Sequence, residues 1–168
     1  MATRQPRRII SGGQTGVDRA GLDVAIYLEV EHGGWCPAGR RAEDGVIPDV
    51  YQLRETTQRD YAVRTEKNVV DADGTLVLFE PPLSGGTALT VALSRKHRRP
   101  HLAINIHEQV PDAAAVATVH DWVRDHGIEV LNVAGPRESN CPGIGSRAER
   151  FLLAVFDAER FGDESNHG

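Results

Sequence analysis

The chain has 168 residues, 40% of them hydrophobic and 26% charged. That is enough for one domain with one sizeable core, and too apolar for a disordered chain. A formal net charge of −5 argues against a general nucleic-acid binder. Two cysteines, Cys36 and Cys141, do not make a disulfide scaffold, so free thiols in a reducing cytoplasm are expected.

The N-terminal eight residues are basic, but only two isoleucines precede a glycine-rich turn, so no secretory apolar core is read there. No window approaches the length of a membrane span, and a soluble, cytoplasmic protein is expected. Residues 1–6 read as a frayed arm and residues 163–168 as a flexible polar tail, with one domain across 1–168. Lysine occurs only at positions 67 and 96. The remaining side-chain cations are arginines, suited to bidentate contact with phosphate, although genome composition also explains that bias.

Strand-like and helix-like segments then alternate. Arg8–Ser11 predicts a strand and Gly16–Leu28 a helix, with Val17, Ala20, Val24, Ala25 and Leu28 at helical spacing. A short strand is expected near Glu31–Trp35, followed by a long loop over Cys36–Thr56. Some twenty structureless residues inside a compact domain are unusual and tend to be functional. Thr57–Val70 predicts a helix, Thr75–Phe79 a strand buried on both faces, and Thr87–Arg98 a helix stopped by Pro100. His101–Asn105 is a further strand. Pro111 is placed to open a helix running to His126, Glu129–Val133 is the last strand, and a final helix extends to about Phe161. The alternation predicts an α/β, three-layer Rossmann-like domain: a mainly parallel sheet with helices on both faces.

In such a sheet all strand-to-helix turns share the carboxyl edge, where ligands bind. Glycines cluster after four strands, at 12, 13 and 16, at 33, 34 and 39, at 85 and 86, and at 135, 143 and 145. Gly12-Gly13-Gln14-Thr15-Gly16 therefore predicts an anion cradle opening a helix, with Asp18 in its first turn. It lacks the Gly-Lys-Ser/Thr of a Walker loop and the G-x-G-x-x-G spacing of a dinucleotide fold. Ser84-Gly85-Gly86-Thr87 repeats the logic, with Ser84 as N-cap and Thr87 as a hydroxyl donor. Trp35 could stack a flat ring and Arg40 could clamp a phosphate. Tyr61, Arg64, Thr65 and Asn68 share one helix face and could wall a pocket. Arg137, beyond the last strand, is a further clamp. Truncating Arg64 is expected to weaken ligand binding with little change in melting temperature.

Evidence for turnover is thinner. No metal-ligand spacing or Ser–His–Asp order stands out, so a binding protein is expected rather than an enzyme. Were it an enzyme, Asp18 and Glu43 would be the acid–base groups.

In combination, residues 12–19, Gly34-Trp35-Cys36-Pro37 with Gly39-Arg40, Ala42–Gly45, Arg64-Thr65-Glu66 with Asn68-Val69, and Ser84–Thr87 resemble the molybdenum carrier (molybdenum cofactor carrier-like) family. Asn132–Arg137 and Pro142-Gly143-Ile144 extend the resemblance. That family lies within a Rossmann-like superfamily that includes lysine-decarboxylase-like phosphoribohydrolases and DNA-processing Smf proteins. The resemblance implies a cytosolic homo-oligomer, dimer or tetramer, that holds molybdopterin-type molybdenum cofactor through oxyanion contacts and hands it to molybdoenzymes. No nucleic-acid or membrane partner is expected, from the charge balance and the lack of an apolar span. Gly13, Thr15, Gly86 and Thr87 would hold the oxygens, with Arg40, Arg64 and Arg137 as clamps. A nucleotide ligand is the alternative, in a sensor or a nucleotide-processing hydrolase. The phosphoribohydrolases carry a glutamate after their P-G-G-x-G-T turn; here Ala88-Leu89-Thr90 follow Thr87, which disfavours that hydrolysis.

Overall fold

The computed structural model describes residues 5–157. Its centre is a five-stranded, wholly parallel sheet built from β1 (Arg8–Ile10), β2 (Glu31–Gly33), β7 (Gly74–Phe79), β8 (His101–Asn105) and β9 (Val130–Ala134). Their order is β2-β1-β9-β7-β8, so the last strand lies between the first and the seventh. Leu76, Val77 and Leu78 of β7, and Leu131 and Val133 of β9, are fully buried, as unalternating apolar strands in a two-sided sheet should be.

Among the described residues five helices surround the sheet: α1 (Val17–Tyr27), α2 (Tyr61–Asp71), α3 (Gly85–Lys96), α4 (Ala113–Asp125) and α5 (Ile144–Phe156). α5 packs against α1 and α4, while α2 packs against α3. The fold is thus α/β and Rossmann-like. The chain leaves β9 into α5 and β7 into α3, which belong to different helix groups. A crevice opens where such neighbouring strands part. No helix among the described residues is long and apolar enough to cross a membrane.

Several boundaries moved for local reasons. α2 begins at Tyr61 because Asp60 caps it, its carboxylate accepting from the Ala62 amide at 2.9 Å. α4 begins after Pro111, with Asp112 as the cap over Ala114. α3 starts two residues early, at Gly85. Gln5 and Pro6, expected in the arm, are held: Gln5 donates to the Phe156 carbonyl at 2.8 Å and Pro6 is buried. The extension of the last helix to Phe161 and the polar tail lie outside the described residues.

The long loop is not structureless. It contains β3 (Trp35–Cys36) paired with β6 (Arg54–Glu55), and β4 (Arg41–Ala42) paired with β5 (Gly45–Val46). Cys36, Ala42 and Ile47 form a small second core, with Tyr51 and Leu53 packed on it. The loop is latched to α1, where Arg19 donates to both carboxylate oxygens of Asp44 at 2.5 and 2.7 Å.

Candidate functional site

A cleft of about 560 Å³ opens at the carboxyl ends of β1, β7 and β9. One wall is the α2 stripe of Tyr61, Arg64, Thr65 and Asn68; another is the turn from Phe79 to Thr87; a third runs from Asn132 to Arg137. Gly12, Gln14 and Asp18 form its floor beside β1. Of the residues expected at the site, Gly12, Gln14, Asp18, Arg64, Asn68, Ser84, Gly85, Gly86, Thr87 and Arg137 line this cleft. Gly13, Thr15, Gly16, Trp35 and Arg40 do not.

The first glycine turn is built differently from the expected cradle, because its amides are spent inside the protein. Gly13 N–H donates to Ser11 Oγ, Gln14 N–H to Asp18 Oδ2, Thr15 N–H to Gln14 Oε1 and Val17 N–H to the Pro136 carbonyl. The N-terminus of α1 is therefore occupied. So is that of α5, where Glu138 accepts from the amides of Gly143 at 2.6 Å and Gly145 at 3.1 Å. Gly13 faces Ile47 and Leu53 of the loop core. Thr15 donates its hydroxyl to Glu43, which also accepts from Ser139. Glu43 joins the long loop to the 134–143 segment and is absent from the cleft lining. Burial would raise its carboxyl, but the bonds from Ser139 and Thr15 win and hold it below the usual range.

The third turn is the open one. Ser84 occupies the N-cap position of α3 but its side chain caps nothing. A Cβ on Gly85 or Gly86 would meet no atom within 4 Å. The first-turn amides of a helix have no intrahelical partner, and those of Gly85–Thr87, which line the cleft, make no hydrogen bond with another element among the described residues. Thr87 is buried, and its hydroxyl makes no hydrogen bond among the described residues. Across the floor, Gln14 spends its Oε1 on Thr15 and Glu43, while its Nε2 is buried with no partner among the described residues. A buried amide donor without an acceptor costs about 1–3 kcal/mol.

Arg64 is 8% exposed. It donates to the Gly12 carbonyl at 2.7 Å, lies 4.0 Å from Asp18 Oδ2 and sits 5.2 Å from the Tyr61 ring. Gly12 is required by that approach, since a Cβ there would collide with the guanidinium. Asp18 is the one cleft carboxylate whose burial dominates. Desolvation pushes it from 3.8 up to about 6, against the opposing pull of Arg64 and the Gln14 amide. The folded chain therefore holds this proton more tightly than the unfolded chain. Its stabilising contribution is full below about pH 4 and is lost as pH rises through about 6. Asp18→Asn, neutral throughout, is expected to gain stability relative to the parent across that window. Urea midpoints taken from about pH 4 to pH 8 test this; parallel profiles would mean that Arg64 and the amides fully offset burial, and an Asp18→Asn variant that loses ground as pH rises would mean that they outweigh it.

Trp35 and Arg40 serve the long loop instead of the cleft. The Trp35 indole N–H donates to Asp71 at 2.8 Å, and Lys67 and Arg54 lie 4.6 and 5.5 Å from its ring. Its backbone is gripped by Asn68, whose side-chain amide both accepts from and donates to it. Arg40 donates to the carbonyls of Ile47, Pro48 and Tyr51. Arg40→Ala is expected to speed tryptic cleavage within residues 36–56 severalfold while ligand affinity stays within twofold. An affinity loss of tenfold with an unchanged cleavage rate would return Arg40 to the clamp.

Three features escaped sequence reasoning. Arg41, adjacent to Arg40, reaches Tyr61 instead of the loop carbonyls. Cys141 is engaged within the fold: its thiol donates to Glu80 Oε2 at 2.9 Å, an oxygen that also accepts from Arg147. Burial and that donation raise the Cys141 thiol above its ordinary range, so it stays protonated and is a poor nucleophile. Asn132 spends its side-chain amide on Thr75 within the sheet. All three depend on contacts between segments distant in the chain, which spacing does not encode.

Residues 9–156 match the profile of the family described as the circularly permutated YpsA SLOG family. A solved structure described as a putative molybdenum carrier protein, from Syntrophus aciditrophicus SB, superposes with a TM-score of 0.86. Identity is 44%, over 90% of this chain and 94% of that one. No curated protein matches the chain. The neighbour's description agrees with the family named from the motifs, and the profile covers almost every described element. The chain belongs to the circularly permutated YpsA SLOG family.

Proposed function

We propose that the protein holds a phosphorylated small-molecule cofactor in this cleft without turning it over, and that the cargo is the molybdenum cofactor. The observation that carries the reading is a convergence of unspent donors. The α3 amides, the Thr87 hydroxyl, Gln14 Nε2 and the Arg137 guanidinium surround one space, with Arg64 on its wall. Oxyanions satisfy such donors, and charge-assisted bonds of this kind are about twice as strong as neutral ones. The description of the neighbour as a molybdenum carrier supports the choice of cargo. Among the described residues no three His, Cys, Asp or Glu side chains converge, so the metal of such a cargo would be held by its own organic ligand. The protein would grip the oxygens.

Native mass spectrometry with elemental analysis of gently purified protein tests this. Molybdenum near one per subunit is expected. Recovery of AMP or another ribosyl nucleotide without molybdenum would overturn the cargo. Asp18 favours a second reading, since a carboxyl pushed to about 6 inside a cleft can donate a proton near neutral pH. In that reading the protein processes nucleotides, and release of free base from nucleoside monophosphates should disappear in Asp18→Asn. Under the carrier reading the parent protein releases none.

A further inference from the structure

Three arginines from three separate segments crowd one aromatic ring at the edge of the cleft. The guanidinium carbons of Arg41 from β4, Arg64 from α2 and Arg137 from the segment after β9 lie 4.6, 5.2 and 5.5 Å from the Tyr61 centroid. Cations gathered this closely repel, and a tyrosine ring compensates them only in part. Arg64 is engaged with Gly12 and Asp18. The Arg41 and Arg137 guanidiniums make no hydrogen bond or ion pair among the described residues, and Arg41 Nε is buried without a partner.

The carboxylates that face the cluster compensate it only in part, and neither forms an ion pair with Arg41 or Arg137 among the described residues. Asp18 is 4.0 Å from Arg64, but its burial favours the neutral form. Glu43 feels the charge of Arg137, yet its oxygens are bonded to Thr15 and Ser139. A planar fork with several free N–H groups matches a tetrahedral oxyanion, and here two such forks are free beside a third. The open end of α3 lies on a different wall, formed by Ser84–Thr87.

We propose that Arg41, Arg64 and Arg137 around Tyr61 form a second oxyanion subsite, so that the ligand carries two separate oxyanion groups. One group sits at Ser84–Thr87 and the other at the arginine cluster. The inference rests on the cleft being the binding site. It adds that a ligand with a single phosphate uses only half of it, and it assigns a binding role to Arg41, which lies outside the cleft lining.

Tungstate, a tetrahedral dianion with strong anomalous scattering, is a suitable probe. Crystals of the full chain soaked in tungstate are expected to show two anomalous peaks, one at Ser84–Thr87 and one against the arginines. In the Arg41→Gln/Arg137→Gln double variant the second peak should vanish, and calorimetry should show at least a tenfold loss at that site. The Arg41→Lys/Arg137→Lys variant, which keeps charge but loses the fork, should fall between. Thermal melts within about 2 °C of the parent would show that both variants fold. A peak at Ser84–Thr87 alone in the parent would overturn the second subsite and leave the cleft reading standing. A second peak that persists in the glutamine variant would overturn the arginine assignment. Peaks at neither position would overturn the cleft reading together with this inference.

Discussion

Gly16→Ala is expected to destabilise the protein by about 3–5 kcal/mol, a large share of the stability of a domain this size. Gly16 caps the N-terminus of α1 with φ 81° and ψ −127°, a combination that L residues avoid. Forcing a side chain into it costs about 1–3 kcal/mol. The added Cβ would also run into the Pro136 carbonyl and lie 2.9 Å from the Glu138 amide. Overpacking of this kind costs about 1–3 kcal/mol more. Neither side can give way easily, because Val17 N–H is bonded to that same carbonyl and Glu138 holds the end of α5. Urea unfolding measures the loss. A change below about 1 kcal/mol would show that the 134–138 segment is far softer than its contacts imply. Ligand affinity should fall as well, since that segment carries Arg137.

Arg64→Ala is expected to lose both stability and binding. Sequence reasoning placed this arginine on a pocket wall, from which it could be removed with little structural cost. Its burial changes that expectation. Truncation strips the Gly12 carbonyl of its donor, removes the nearest cation from Asp18 and leaves a void under the Tyr61 ring. An unsatisfied buried acceptor alone costs about 1–3 kcal/mol, and with the void we expect about 3 kcal/mol in all. For a domain of this length that lowers the melting temperature by roughly 6–12 °C. Arg64→Lys separates the two roles: the charge near Asp18 survives while the fork that reaches Gly12 does not, so part of the stability returns. An Arg64→Ala variant that melts with the parent would mean that the Gly12 contact contributes nothing.

The two variants also mark how far the sequence could be read. Strands such as Leu76–Leu78 and Leu131–Val133 announce themselves because two-sided burial leaves an unbroken apolar run. The parallel fold, the carboxyl-edge location and the α2 stripe follow from such local patterns, and so does the family. The fate of each glycine turn does not. Gly12–Gly16 and Ser84–Thr87 look equivalent as strings, yet in the first the amides of Gly13, Gln14 and Thr15 are spent internally. The difference lies in the side chains of Ser11 and Asp18, which flank the first turn and fold back on it, and in Pro136, which reaches it from beyond β9. Trp35 and Arg40 carry ligand-like chemistry, but Asn68, Asp71 and three loop carbonyls claim them first. Arg41 was invisible for the converse reason, since its partner ring is twenty residues away.

The strand order has a consequence for how the molecule comes into being. Among the described strands β9 is the last synthesised and the middle one in space. Until residues 130–134 leave the ribosome, the sheet can exist only as two unconnected pairs, β1 with β2 and β7 with β8. Each pair would expose the apolar flank that β9 later covers, and such unpaired edges favour aggregation. Closure must therefore wait for residues 130–134, and that long-range pairing makes folding slow. A ligand held as proposed could not settle before then either, because the wall that bears Arg137 follows the strand that completes the sheet.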